Sequence, residues 1–274
     1  MLNLQTQEYM RQMDSNIGDK TKLLQWIKHD GKVLDAGCGG GELTLQMLNN
    51  WGLDAYGIDL SLISYENFIA KGIKDRFIHG NLLDMSIYFN KEEFDTIIFS
   101  SVLHEIYSYN GFHLGDIDNT LENALKALKT GGRIIIRDGV KSARYGYRRV
   151  KFKNKNDILF LTEYCRRFKG RNIWYKIIDN EYFEMKTDDM MEFLYTYTWG
   201  WESFDREVQE QYGVHTLEKY EMIARRMGAK IIHSEEYLQQ GYVDSLSEKI
   251  EIYDEDMNPV DLPSSNMILV IEKQ

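Results

Sequence analysis

From residue 20 onward the apolar positions of this chain switch repeatedly between two spacings. In KLLQWIK, residues 22–28, Leu23, Leu24 and Ile27 share one helical face, whereas KVLDAG, residues 32–37, is a short unbroken apolar run that stops at a glycine. ELTLQMLNN then predicts a helix, DAYGIDL a strand, and SLISYENFIAKG a helix that Ser61 caps. DRFIHG, FDTIIFSSVL and RIIIRDGV supply three more strands, and NTLENALKALKTGG reads as an amphipathic helix closed by Gly131 and Gly132. Buried runs alternating with amphipathic helices predict an α/β fold with a doubly wound, mostly parallel sheet.

The rhythm stops at residue 141 and resumes near 214, where HTLEKYEMIARRMG predicts a helix and AKIIHSEEYL and SNMILVIEKQ two closing strands. The pattern therefore divides the chain into an N-terminal segment, 1–19, a main domain of 20–140 and 214–274, and an inserted subdomain, 141–213. Residues 1–19, with Tyr9, read either as a lid over the main domain or as a frayed end.

Composition narrows the class. With 274 residues, 43% of them hydrophobic, 28% charged and only 2 Pro, the chain is an ordinary folded protein rather than a disordered or collagen-like one. No stretch approaches the roughly 20 apolar residues of a bilayer span, and MLNLQTQEYMRQMDSN lacks a basic cluster followed by an apolar run. A cytoplasmic protein with no membrane partner is expected. Cys38 and Cys165 stand far apart with no CxxC or Cys/His cluster, so neither a disulfide framework nor a metal site is expected. A net charge of −10 argues against a protein that coats nucleic acid with its whole surface.

VLDAGCGGGE carries the strongest chemical signal. Gly37, Gly39 and Gly41 lie between a strand and a helix, where absent side chains let a ligand approach the backbone; a tight turn with no ligand is the bland alternative. Asp59 ends the next strand and sets a carboxylate beside the same crevice, at the depth of a ribose diol. A dinucleotide fingerprint needs glycine at position 42, where this chain has Glu42, a residue that also opposes a pyrophosphate.

Asp35-x-Gly37-x-Gly39-x-Gly41 instead resembles motif I of the class I S-adenosylmethionine-dependent methyltransferases. The resemblance covers roughly residues 20–140 and implies a seven-stranded sheet with the insertion after the fifth strand, 20–140 and 214–274 forming the cofactor-binding domain. It further implies that the glycine loop packs around the methionine part of the cofactor and that Asp35 contacts it directly or through water. On the same ground Asp59 accepts both ribose hydroxyls, Leu60 lies against the adenine, Asn81 accepts the adenine amino group and Leu82 offers its backbone N–H. FDTIIFSSVLHEIY looks like motif IV, with Ser100 and Ser101 beside the methionine moiety, and LKTGGRIIIRD resembles the family's LKPGG turn with Thr130 in place of proline. A sulfonium is a fixed cation, so a crevice lined by Asp35, Glu42 and Asp59 suits it.

His104 is the first choice of general base, because an unperturbed imidazole titrates near pH ~6.5; the alternative is that it orients the loop or touches the cofactor. Glu105 and Tyr107 are further catalytic candidates, and Asp138 at the end of strand five either lines the acceptor side or caps a loop. An Asn-Pro-Pro-Tyr signature is absent, which disfavours exocyclic base amines as acceptors. Residues 141–176 hold twelve Lys and Arg, Arg144 and Arg148 among them, against Asp157 and Glu163, with eight aromatic residues interleaved. Such a run either binds phosphates and stacked bases or pairs with acids elsewhere in the protein. FLYTYTWGW places Phe193, Tyr195, Tyr197, Trp199 and Trp201 on one face if extended, a wall over a planar acceptor with Glu202 and Arg206 as polar orienters, or else the insertion's own core. The leading expectation is an S-adenosylmethionine-dependent methyltransferase acting on an O or N of an anionic or aromatic acceptor, RNA or a nucleotide slightly ahead. The alternatives are a small-metabolite methyltransferase with the insertion as pocket lid, and a non-catalytic cofactor-binding partner subunit.

Overall fold

The computed structural model describes residues 17–28 and 31–274. Most of the segment expected to act as a lid, Tyr9 included, lies outside the described residues. In chain order the strands are β1 (Lys32–Ala36), β2 (Asp54–Asp59), β3 (Phe77–His79), β4 (Phe94–Ser100), β5 (Leu128–Gly139), β6 (Tyr147–Phe152), β7 (Lys176–Ile178), β8 (Tyr182–Lys186), β9 (Lys230–Tyr237), β10 (Ile250–Tyr253) and β11 (Asn266–Glu272). The longer helices are α1 (Glu42–Trp51), α2 (Leu62–Ala70), α3 (Leu103–Tyr109), α4 (Leu114–Ala127), α5 (Ile158–Arg167), α6 (Thr187–Glu207), α7 (Leu217–Arg226) and α8 (Gln240–Ser247).

The described residues form two compact units, one of residues up to Asp138 with Glu218–Glu235 and Ile268–Gln274, the other of Gly139–Leu217 and Glu236–Met267. The first unit carries a seven-stranded sheet in the order β3-β2-β1-β4-β5-β11-β9. β1 to β5 pair in parallel, and the interiors of β1 and β4 are buried without alternation, as strands covered on both faces must be. The chain runs outward from β1 to β3 and returns on the other side of β1 with β4. Strand order therefore reverses at β1, and open α/β sheets bind ligands at the carboxyl ends of the strands beside such a reversal. Ser61 caps α2 as expected, its side chain accepting the amide of Ile63.

Two local expectations change. Residues 21–26 form a 3₁₀ helix, although Leu23, Leu24 and Ile27 are buried as the spacing predicted. The helix expected to close at Gly131 and Gly132 stops at Ala127, and both glycines belong to β5. Backbone pairing decides this, because the Gly131 amide donates to the Lys273 carbonyl, the Lys273 amide donates to the Gly132 carbonyl, and Leu128 already pairs with Phe94.

The second unit is built on a four-stranded sheet, β10-β6-β8-β7, whose neighbours all pair antiparallel. Pairing of β10 with β6 draws residues 236–267 into this unit, whereas the sequence pattern had assigned them to the main domain. The FLYTYTWGW stripe is helical rather than extended. It lies in α6, a helix interrupted at Gly200, where φ 73° and ψ −170° are open to glycine alone. Residues 189–197 are all buried, and a helix buried on every side shows no single apolar stripe. Phe193 and Tyr197, four apart, stack with ring centres 5.3 Å apart, while the Tyr195 hydroxyl on another face donates to the Ser265 carbonyl at 2.6 Å. The apparent period of two comes from interleaved helical faces.

Phe193 also meets Phe152, Phe160 and Tyr164 edge to face, at the centre of this unit's core. Phe193→Ala is expected to cost about 3–5 kcal/mol and Phe193→Leu distinctly less, read as a fall in the midpoint of denaturant unfolding.

Candidate active site

The glycine loop is held on both sides by its neighbours. The amides of Gly37 and Cys38 both donate to the Ile58 carbonyl of β2, at 2.9 and 3.2 Å. Gly37, Gly39 and Gly41 all have positive φ, of 76°, 50° and 78°. A Cβ on Gly37 would stand 2.4 Å from Val102, and one on Gly41 2.3 Å from Phe68, so these two positions are closed by packing. At Gly39 a Cβ would meet nothing within 4 Å. The loop thus opens at Gly39, and there the backbone is bare.

Carboxylates surround that opening. Asp59 accepts the Gly39 amide on Oδ2 at 2.9 Å and the Ser61 amide on Oδ1 at 2.8 Å, and each oxygen keeps a further lone pair. Asp35 is 2% exposed and accepts the Thr44 hydroxyl at 2.8 Å. Burial pushes its carboxyl up to about 6, against the lowering effects of the Thr44 bond and of the Lys20 ammonium, with Asp59 adding to the rise. Glu42 opens α1 with Lys71 3.7 Å away. The Cys38 thiol packs where a Cβ on Gly57 would fall 2.7 Å from its sulfur, and burial, then Asp35 and Asp59, raise it well above the ordinary thiol range.

The other expected cofactor residues surround the same edge. Leu60 is 65% exposed at the end of β2. Asn81 accepts the Leu83 amide at 3.0 Å and Leu82 is buried. Ser100, at the end of β4, is 6% exposed, and its Oγ has no hydrogen-bond partner among the described residues. An apolar face at Leu60, a bare backbone at Gly39, an unpartnered buried hydroxyl and three acids fit an adenosyl cofactor that carries a cation.

The catalytic candidate His104 meets the acceptor-side candidate Asp138. His104 Nδ1 lies 2.5 Å from Asp138 Oδ1, and Asp138 Oδ2 accepts the amides of Leu103 at 2.8 Å and His104 at 3.3 Å. Asp138, read from the sequence as lining the acceptor side or capping a loop, is 1% exposed and caps the start of α3. Glu105 follows on α3, half-buried, and Tyr107 is buried with its ring edge-on to Phe112. Sequence reasoning missed Thr44, Lys20 and Arg137. Thr44 was findable, being in the first turn of the helix that follows the loop.

In the second unit half of the basic run is paired with acids. Lys141, Arg149, Lys151, Arg166, Arg167 and Arg171 each pair with a carboxylate of their own unit. Arg144 is exposed, and Arg148 donates to the Tyr147 carbonyl. The Tyr197 hydroxyl donates to Asp157 from within the core, Arg206 pairs with Glu210 at 3.0 Å, and Trp199 is half-buried. The expected wall of rings over an acceptor is therefore not formed by α6, whose rings Phe193 and Tyr197 serve the core. Among the described residues no helix is long and apolar enough to cross a membrane.

The fold and this site define a Rossmann-like methyltransferase. The family described as a methyltransferase domain matches residues 27–195, more than half of the chain, and the chain belongs to it. It is a methyltransferase-domain protein. No curated protein matches the chain. Solved structures share its fold: a SAM-dependent methyltransferase from Archaeoglobus fulgidus, 11% identical with a TM-score of 0.55, spans 96% of this chain and 94% of its own. A second, from Mesorhizobium loti, is 15% identical with a TM-score of 0.54 over 92% of this chain and 96% of its own. A third, from Methanosarcina mazei, is 12% identical with a TM-score of 0.53 over the same shares.

The Asp35 carboxyl gives a pH signature. Its folded-state value of about 6 lies above the ordinary 3.8, so its contribution to stability is full below about pH 4 and is lost as pH rises through 6. In the ligand-free protein Asp35→Asn should gain on the wild type as pH rises from 4 to 7.5, on the order of 2–3 kcal/mol at most. Thermal melts of both proteins across that range check the sign.

Proposed function

We propose that this enzyme methylates an oxygen or nitrogen of a small-molecule acceptor, holding S-adenosylmethionine at the glycine loop and removing the acceptor's proton with His104. The observation that carries the reading is the opening at Gly39 beside the fixed Asp59 carboxylate and the buried Asp35. When bound, the cofactor supplies an electrophilic methyl carbon.

The remaining work falls to the chain. Asp59 accepts the ribose hydroxyls with its spare lone pairs, Leu60 covers the adenine, and Asn81, whose amide oxygen retains a lone pair beyond its bond to Leu83, accepts the adenine amino group alongside the Leu82 amide. Ser100 offers its hydroxyl to the methionine part. Asp138 holds His104 through Nδ1, which fixes the tautomer in which Nε2 takes the proton. Positioning of this kind supplies about 7–11 kcal/mol of a bimolecular barrier, and a general base a further factor of about 10²–10⁴. Residues 141–213 are our proposal for the part that selects the acceptor. A small molecule is favoured over RNA because half of the basic run is already paired and the second unit as a whole holds 15 basic against 20 acidic residues.

Incubation with methyl-labelled cofactor and separate RNA, protein and metabolite pools is expected to label the metabolite pool. Label in RNA, with binding that weakens steeply with salt, would transfer the acceptor role to the basic run. Absence of label in every pool, with no calorimetric binding of S-adenosylhomocysteine, overturns the reading. In the same assay His104→Ala should lower kcat by about 10²–10⁴ while S-adenosylhomocysteine binds within about twofold of the wild type.

A further inference from the structure

A cavity of about 350 Å³, walled by aliphatic side chains, opens in the second unit. Leu246 of α8 and Ile250 and Ile252 of β10 form its buried floor, and Val243, Val260 and Leu262, half-buried, stand around them. Backbone bonds hold these walls in place. The Lys249 amide donates to the Leu246 carbonyl at 2.9 Å, tying the end of α8 to the start of β10, and the Val260 amide donates to the Ile252 carbonyl at 3.0 Å, tying the returning chain to β10. Protein interiors are packed with few voids larger than a water molecule, whereas small-molecule sites run from roughly 300 to 1,000 Å³. This cavity belongs by size to the second group.

The lining limits what fits. No aromatic ring from the described residues faces the cavity, so it offers contact to an alkyl chain and no stacking surface to a planar ring. Asp261 is the charged residue of the lining; it is exposed between Val260 and Leu262 and has no hydrogen-bond or ion-pair partner among the described residues. The cations nearby are engaged elsewhere. Lys153 donates to the Ser247 carbonyl at 2.8 Å, and the Lys249 ammonium lies 5.2 Å over the Tyr197 ring. All of the lining comes from residues 236–267, which hold eight acids and, in Lys249, one base. The field of such a segment attracts a cation and repels a carboxylate.

We propose that this cavity binds an alkylammonium ligand, its chain against Leu246, Ile250 and Ile252 and its cationic head at Asp261. A single alkyl chain matches the volume, and the charge of the segment selects an ammonium over a fatty carboxylate. The site lies wholly within the second unit and does not rest on the methyl-transfer reading above.

The test titrates the full chain with octylamine, octanol and octanoate and follows the Ile, Leu and Val methyl signals by NMR. Octylamine should bind saturably and shift the methyl signals of Leu246, Ile250 and Ile252. Octanol should bind about three- to fivefold more weakly, the scale of one exposed ion pair, and octanoate more weakly still. Asp261→Asn should reduce octylamine to the affinity of octanol while changing octanol less than about twofold. Val243→Trp, which fills the cavity, should abolish the binding of both, its fold checked by its melting temperature. Three results overturn the proposal: no saturable binding to the wild type, shifts confined to methyl groups elsewhere, or equal affinity for octylamine and octanoate. The first two need no variant. Unchanged octylamine affinity in a folded Val243→Trp protein or in Asp261→Asn would overturn it as well.

Discussion

The carboxyl edge of the first unit's sheet depends on the Asp59 carboxylate. One oxygen accepts the amide of Gly39 and the other that of Ser61, so a single side chain ties the glycine loop to the end of β2 and the start of α2. Glycine loses more backbone freedom on folding than other residues, and three glycines in these five residues are held at positive φ. With Gly37 and Gly41 packed against Val102 and Phe68, the bond to Asp59 leaves the backbone at Gly39 both bare and fixed. A ligand arriving there meets donors and acceptors that need little reorganisation, and preorganisation of this kind is what binding and catalysis reward.

The framework of the first unit was legible because β1, β2 and β4 are short, mostly apolar runs whose ends are marked by a glycine, an acid or a serine. Asp35, Asp59 and Ser100 stand at such ends, and the pattern put them at one edge. What escaped depends on partners far away in the chain. Arg137 and Asp19 are 118 positions apart, and nothing local in RIIIRDG shows that the arginine points to a residue ahead of β1. Asp138 was noticed as a strand-end acid, but its hold on His104 and on the amides of α3 is tertiary. Gly131 and Gly132 misled because two glycines after an amphipathic run look like a helix stop, whereas pairing with Phe94 and Lys273 had already claimed the backbone.

The second unit shows how burial erases pattern. α6 is enclosed from Asp189 to Tyr197, so its rings could not announce a helical stripe, and their alternation in sequence resembled a strand. Its charge was similarly hard to read from a window. Residues 141–176 are strongly basic by themselves, yet Glu181, Glu184, Asp188, Asp189, Glu192 and Asp205, all beyond that window, supply most of the pairing. Arg171 alone bridges Asp189 and Glu192, the latter also accepting the amides of Tyr212 and Gly213, so one guanidinium gathers α6 and the segment that follows it.

Cys38 sits in the same loop as the bare glycine, with its sulfur against Gly57, and burial, then the two neighbouring acids, raise its thiol well above the usual range. The thiolate, not the thiol, is the nucleophile of cysteine chemistry. An enzyme that handles an electrophilic methyl donor beside a thiol risks alkylating itself. In the site proposed above, burial and the acids that suit a positively charged donor together keep this cysteine protonated, which lowers its reactivity toward that donor.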